Sequence, residues 1–117
     1  ASAHGHQPVV RLLVEHWGLT IEDARTDDNN ALRVSCSNGH LPVVHFLATH
    51  FNLTVEDARA DQNRALHLSC MNGHLPVARF LTAHFNLTAR DARDNDNFAL
   101  RLSCENGHLP VVQFLVA

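Results

Sequence analysis

The sequence lacks lysine and tyrosine altogether and has one tryptophan, one methionine and three cysteines among 117 residues. Its nine basic residues are therefore all arginines, against twelve acidic residues. Because the arginines form no basic run, there is no broad positive face to attract phosphates, and we expect no nucleic-acid partner. No apolar stretch approaches the roughly 20 residues of a membrane helix, and no signal peptide is recognisable, so we expect no membrane partner either. The absence of lysine is simplest to explain as compositional bias, with avoidance of lysine modification as the alternative.

One period of 34 residues organises what is present. It separates Gly5, Gly39, Gly73 and Gly107, and the sequence around these glycines repeats as HGHQPVVRLL, NGHLPVVHFL, NGHLPVARFL and NGHLPVVQFL. A second block repeats between them as GLTIEDAR, NLTVEDAR and NLTARDAR. Substitution without insertion predicts the same backbone path in every unit, and therefore one solenoid domain over residues 1–117.

Turn residues divide each unit into two helices and a loop. Asn63 is a plausible N-cap for a short helix A over residues 64–71, and Gly73 suits the left-handed residue that ends it. Asn29 and Asn97 take the same position before helices A over residues 30–37 and 98–105. Pro76 fits the first turn of helix B, which we expect to end at His84 or Phe85.

The segment after helix B begins with a threonine that is followed three residues later by an aspartate. Thr20 with Asp23, Thr54 with Asp57 and Thr88 with Asp91 resemble capping boxes. Each unit is therefore predicted to continue from helix B into a helical turn and then into an exposed acidic loop.

Helix A ending in N-G-H-L, followed by a helix that begins with P-V-V-x-F-L, resembles the ankyrin repeat over all 117 residues. The Thr-Pro-Leu-His opening of that family is replaced by Asn30-Ala31-Leu32-Arg33, Arg64-Ala65-Leu66-His67 and Phe98-Ala99-Leu100-Arg101. The string DNDNFALRLSCENGHLPVVQFL is similar to a divergent ankyrin type of protists and large DNA viruses. The resemblance implies an all-α solenoid of antiparallel helix pairs, and we expect a short helical turn in place of the usual β-hairpin.

The period places unit boundaries inside the chain. We expect a partial first repeat over residues 1–28, full repeats over 29–62 and 63–96, and a partial last repeat over 97–117. Apolar residues near both ends (Val9, Val10, Leu12, Leu13, Val112, Phe114, Leu115 and Val116) are not typical of capping repeats. We therefore expect an excised fragment of a longer array, or a worn N-terminal cap with a missing C-terminal one, and we expect the ends of neighbouring molecules to associate.

Cysteine and histidine recur at fixed places in the unit. Cys36, Cys70 and Cys104 should lie one repeat apart, beyond the roughly 7 Å Cα separation that a disulfide allows, so we expect buried free thiols and an intracellular, reducing compartment such as cytoplasm or nucleus. The histidines after the turn glycines (His6, His40, His74, His108) and near the end of helix B (His16, His50, His84) favour structural roles. Units about 10 Å apart cannot bring two such rings within the roughly 2 Å bonds of one zinc ion. We expect no metal site and no cofactor.

The Asp-Ala-Arg triplets do not vary between units, which suits salt bridges or caps that join adjacent repeats. A binding surface should instead use positions that vary on one face. The first, fourth and eighth residues of helix A vary and share a face by their spacing. We predict that they contact a partner protein: Asn30, Arg33, Ser37, Arg64, His67, Met71, Phe98, Arg101 and Glu105.

In ankyrin repeats the corresponding helix A surface and adjoining loops line the concave face that holds partners. The resemblance therefore implies a protein-binding module without catalysis, in which Phe98 and the arginines are candidate anchors. Acidic loop tips such as Asp27, Asp61 and Asp94 favour a partner with basic residues. The alternatives are solvated drift at these positions, a structural spacer and, more remotely, a metal- or thiol-dependent enzyme.

Overall fold

The computed structural model describes Gly18 and residues 20–116, and its regular elements there are helices without any strand. They are α1 (Ile21–Ser37), α2 (Leu41–His50), α3 (Val55–Met71), α4 (Leu75–Phe85), α5 (Ala89–Glu105) and α6 (Leu109–Val116). This confirms the all-α prediction and the absence of a β-hairpin within the described part. The predicted first helix B, with His6, His16 and the apolar N-terminal residues, lies outside the described residues.

The prolines, glycines and threonines act as predicted at the helix ends. Prolines occupy the first turns of α2 and α4, and α4 ends at Phe85. Gly39, Gly73 and Gly107 have φ of 72°, 76° and 73°, a conformation that glycine adopts without steric cost. Each threonine predicted to cap, as in Thr54 with Asp57, forms a capping box.

The odd-numbered helices are bent in the middle, where four residues leave helical geometry. In α3, Ala60 is extended and Asp61, Gln62 and Asn63 have φ of 55°, 58° and 59°. The same left-handed turn occurs at residues 27–29 and 95–97. The N-cap role predicted for Asn29, Asn63 and Asn97 is therefore wrong, because an N-cap residue has extended backbone angles.

The helices form two layers that advance by one repeat at a time. In one layer α1 packs on α3 and α3 on α5, and in the other α2 contacts α4 and α4 contacts α6. Each even-numbered helix also packs on the helix before it, which makes the predicted antiparallel pair. The core lies between the layers, with Leu32, Val44, Leu66, Leu81 and Ala99 among its buried side chains.

Candidate partner-binding surface

The left-handed turn sets where helix A begins, and an arginine of helix A holds the turn. The Arg33 guanidinium donates to the backbone oxygens of Asp28 at 3.0 Å and Asp27 at 2.7 Å. Arg101 donates likewise to Asp96 at 2.8 Å and, more weakly, to Asn95 at 3.5 Å. The fourth residue of helix A therefore has a structural task in these two units, since it satisfies carbonyls that the turn leaves unpaired.

His67 takes that position in the middle unit, and the structure contradicts its predicted role in partner contact. Its side chain is 1% exposed, because the following repeat covers it. The ring Nε2 lies 3.4 Å from the Asp91 backbone oxygen, and the ring stacks on Phe98 at a centroid distance of 5.5 Å. Burial lowers the pKa of His67 below its usual value.

Phe98 is the centre of a cluster on the helix A face. Its half-buried ring rests on His67, and the guanidinium carbons of Arg64 and Arg101 lie 5.8 and 5.9 Å from its centroid. This separation is within the range of cation–π attraction. No carboxylate of the described residues forms a salt bridge with Arg64 or Arg101. We call Arg64, Phe98 and Arg101 the aromatic–arginine cluster.

The other predicted contact residues differ in their exposure to solvent. Asn30 and Glu105 are exposed, whereas Arg33, Ser37 and Met71 are half-buried. The Ser37 and Met71 carbonyls accept hydrogen bonds from the side chains of Asn72 and Asn106 in the next repeat, both at 2.9 Å. These two residues thus combine a partly accessible side chain with a role between repeats.

The sequence interpretation missed one position of helix A. Val34 is 47% exposed, and Leu68 and Leu102 at the equivalent positions are half-buried. This recurring apolar position received no role in the sequence-based prediction. The available signal was its position four residues after the variable first residue of helix A, because that spacing puts both on one face.

The repeats are joined by a buried aspartate in each described interface. Arg25 donates to Asp57 through Nε at 2.7 Å and Nη2 at 3.0 Å, and Asn29 adds a bond at 3.1 Å. Arg59 and Asn63 bind Asp91 in the same way, at 2.8, 3.2 and 3.1 Å. The prediction that the Asp-Ala-Arg triplets link adjacent repeats is confirmed. We call these contacts the Arg–Asn–Asp links.

The links lower the pKa values of the two aspartates that they contain. Burial alone would raise the pKa of Asp57, but hydrogen bonds from Arg25, the Thr54 backbone and Asn29 outweigh it and hold that pKa at about 2. Arg59, the Thr88 backbone and Asn63 do the same for Asp91, whose pKa is also about 2. Both carboxylates therefore stay ionised in the folded stack across the physiological range.

The thiols are free, but they do not share one environment. Cys36 and Cys70 are fully buried, and burial raises the pKa of both, that of Cys70 to about 12. Cys104 is exposed, which contradicts the prediction that all three are buried. Among the described residues no three His, Cys, Asp or Glu side chains could together hold a metal ion. None of the helices there is long and apolar enough to cross a bilayer.

Comparison with protein families agrees with the repeat period. Residues 51–117 match a model described as ankyrin repeats (3 copies), and residues 1–48 match a second model described as ankyrin repeats (many copies). Comparison with curated proteins and with solved structures returned no match.

Proposed function

The chain belongs to the ankyrin-repeat family, whose repeats generally serve as protein–protein interaction modules, and on this premise we propose that it binds a partner protein through its helix A face. The contact surface consists of the aromatic–arginine cluster, the accessible residues Asn30, Arg33, Ser37, Met71 and Glu105, and the Val34 position. The protein acts by recognition and requires no catalysis.

The aromatic–arginine cluster carries this proposal. A half-exposed phenylalanine flanked by two arginines has the composition of an interface hot spot. The Arg64 and Arg101 guanidiniums have no carboxylate partner among the described residues, so a partner's carboxylates or carbonyl oxygens can accept from them. Phe98 supplies the apolar contact between these two hydrogen-bonding groups.

The cluster is also held in place before a partner arrives. Arg101 is anchored to the turn carbonyls, and Phe98 lies on the buried ring of His67. His67 in turn contacts the backbone of Asp91, the residue that joins the two repeats. Such support reduces the ordering cost of binding, which favours a rigid recognition surface.

Site-specific photo-crosslinking tests the proposal. A benzophenone amino acid replaces Phe98 in one variant and Gln113, an exposed residue of α6, in the control. We expect one protein from an extract of the native cells to crosslink from position 98 and not from position 113, and Arg64→Ala to weaken that product. Equal products at both positions, or none at position 98, would favour the structural spacer.

A further inference from the structure

The three described left-handed turns differ in whether a helix A side chain donates to their carbonyl oxygens. In the first turn (27–29) and the last (95–97), Arg33 and Arg101 direct Nε and Nη2 to the carbonyls that lie five and six residues before them. These carbonyls belong to the first two left-handed residues of each turn. A guanidinium bound to two successive carbonyls therefore occurs twice within this molecule.

The middle turn (61–63) has the same backbone without such an arginine. The carbonyls five and six residues before His67 belong to Gln62 and Asp61, whose φ values of 58° and 55° compare with 55–57° at the equivalent residues of the other turns. His67 turns into the core instead, where it is 1% exposed and stacks on Phe98. No side chain of the described residues donates a hydrogen bond to the Asp61 or Gln62 carbonyl.

These two carbonyls are suited to a guanidinium from another molecule. Asp61 and Gln62 are both exposed. A carbonyl oxygen has two lone pairs, so it can accept from a side chain in addition to a backbone N–H. A guanidinium holds its N–H donors in a planar fork, which Arg33 and Arg101 use on their turns, whereas an ammonium group is a point charge without this geometry. The middle turn should therefore select arginine over lysine.

The charges around the middle turn favour a cation. The Asp61 side chain is 49% exposed, and Arg33 Nη1 lies 3.9 Å from its carboxylate, which is beyond hydrogen-bond distance. The two nearby arginines are engaged elsewhere, Arg33 with its own turn and Arg64 against the Phe98 ring. Further exposed aspartates lie in the other two turns: Asp27, Asp28 and Asp96. A cationic group of a partner is complementary to this edge of the helix A face.

From these features we infer that the middle turn binds an arginine side chain of the partner protein, which donates to the Asp61 and Gln62 carbonyls. The inference rests on the proposed function, since helix A begins directly after this turn and the partner is the one that contacts its face. Histidine at position 67 has two consequences there: it leaves the turn carbonyls to the partner, and it supplies the buried ring on which Phe98 rests. The partner thus carries an arginine for the turn beside the acceptors for the aromatic–arginine cluster.

Nitrogen-15 NMR of the chain with a blocked arginine, N-acetyl-arginine methylamide, tests the site without the partner. The amide N–H groups of Gln62 and Asn63 share peptide groups with the Asp61 and Gln62 carbonyls, so they report on bonds to them. We expect saturable shifts there, at least about threefold larger than at the equivalent amides of the other two turns, whose carbonyls already bind an arginine. No saturable shift, or equal shifts in all three turns, overturns the inference.

Blocked lysine, N-acetyl-lysine methylamide, is the control for charge alone. It should shift Gln62 and Asn63 by no more than about a third as much as blocked arginine, because its ammonium group does not span two carbonyls as a planar fork does. Equal shifts from the two compounds would show that cations only accumulate near the aspartates, which overturns a site for arginine.

Two substitutions should move the response between turns. His67→Arg supplies an arginine for the middle turn from within the chain, so blocked arginine should no longer shift Gln62 and Asn63. Arg33→Ala removes the arginine of the first turn, so the amides of Asp28 and Asn29 should begin to respond. Because His67 is buried, Arg33→Ala keeps the test decisive if His67→Arg fails to fold. An unchanged middle turn in folded His67→Arg, or a silent first turn in Arg33→Ala, overturns the inference.

The NMR titration and the crosslinking at position 98 can fail separately. A saturable shift at Gln62 and Asn63 without a crosslinked product would retain the arginine site and contradict partner binding by the helix A face. A crosslinked product without that shift would retain the helix A face and overturn the arginine site.

Discussion

At the scale of single residues, one buried aspartate per described interface performs three tasks. Asp57 accepts hydrogen bonds from Arg25 and Asn29, which lie 32 and 28 residues earlier in the chain, and closes a capping box with Thr54. The Asp57 side chain is 7% exposed and its bond with Asn29 is buried, whereas the Arg25 side chain is 40% exposed. Helix capping and stacking are therefore coupled through the same carboxylate.

We predict that Asp57→Ala lowers the free energy of unfolding by about 3 kcal/mol, because it removes a cap, leaves the buried Asn29 amide without its acceptor and breaks the ion pair with the exposed Arg25. Urea denaturation followed by circular dichroism measures the change. Asp23→Ala is the matched control: Asp23 is exposed and caps Thr20 but binds no arginine in the described part of the chain, so its loss should cost about 1 kcal/mol. Equal costs would contradict the three-task account.

Stability should fall in two stages as pH is lowered. Burial lowers the pKa of His67, and it lowers that of His74 despite a hydrogen bond with the Ser37 backbone. The unfolded chain then binds more protons than the folded one below the ordinary value of 6.5, so stability decreases from pH 7.5 to 5.5. The second stage comes from Asp57 and Asp91, whose pKa of about 2 against an ordinary 3.8 makes their contribution disappear as pH falls from about 5 to 2.

Urea midpoints at several pH values measure both stages. The His67→Gln, His74→Gln double variant should show a smaller loss between pH 7.5 and 5.5 and an unchanged loss below pH 5. A wild-type protein equally stable at pH 7.5 and 5.5 would contradict the histidine part of the prediction.

The sequence predicted residue roles well where partners are close along the chain. Thr88 and Asp91 are three residues apart, and a capping box needs no other information. His67 and Asn63 were assigned wrongly because their partner Asp91 lies 24 and 28 residues further along the chain. A fourth-position side chain of helix A looks equally exposed in all three units until stacking covers one of them.

At the scale of elements, the distinctive feature is the left-handed turn before each helix A. Eight of its nine residues in the three described turns are Asp or Asn, and Gln62 is the exception. Asp and Asn tolerate this conformation better than other non-glycine residues do. The sequence indicated an acidic loop here, but local propensity does not reveal three successive left-handed residues between helical segments.

Gln62 should therefore be the least suited residue of its turn. We predict that Gln62→Gly raises the free energy of unfolding by about 0.5–1 kcal/mol and that Gln62→Val lowers it by about 1–2 kcal/mol, since a β-branched side chain is strained at φ 58°. Thermal denaturation measures both. The exposed helical residue Gln113 is the control, and Gln113→Gly should instead be destabilising. The same sign for the two glycine substitutions would argue against the left-handed turn.

At the scale of the whole molecule, the 34-residue sequence repeat determines both the buried contacts between repeats and the exposed faces. The Arg–Asn–Asp links fix adjacent repeats, and the same repeat of helix A arranges variable residues side by side on an outer face. The period and the family resemblance were sufficient to predict the stack. The aromatic–arginine cluster required the structure, because Arg64 and Phe98 belong to different repeats and their contact depends on how these pack.

The central claim is that the helix A face binds the partner. The most direct measurement is the dissociation constant of the crosslinked protein, once purified, for three forms of the chain by titration calorimetry. The forms are the wild type, Arg64→Ala with Phe98→Ala, and the control Arg79→Ala with Gln113→Ala on the exposed sides of α4 and α6. We predict that the helix A variant weakens binding about thirtyfold or more and that the control changes it by less than about twofold. Equal affinity of all three forms would contradict the account.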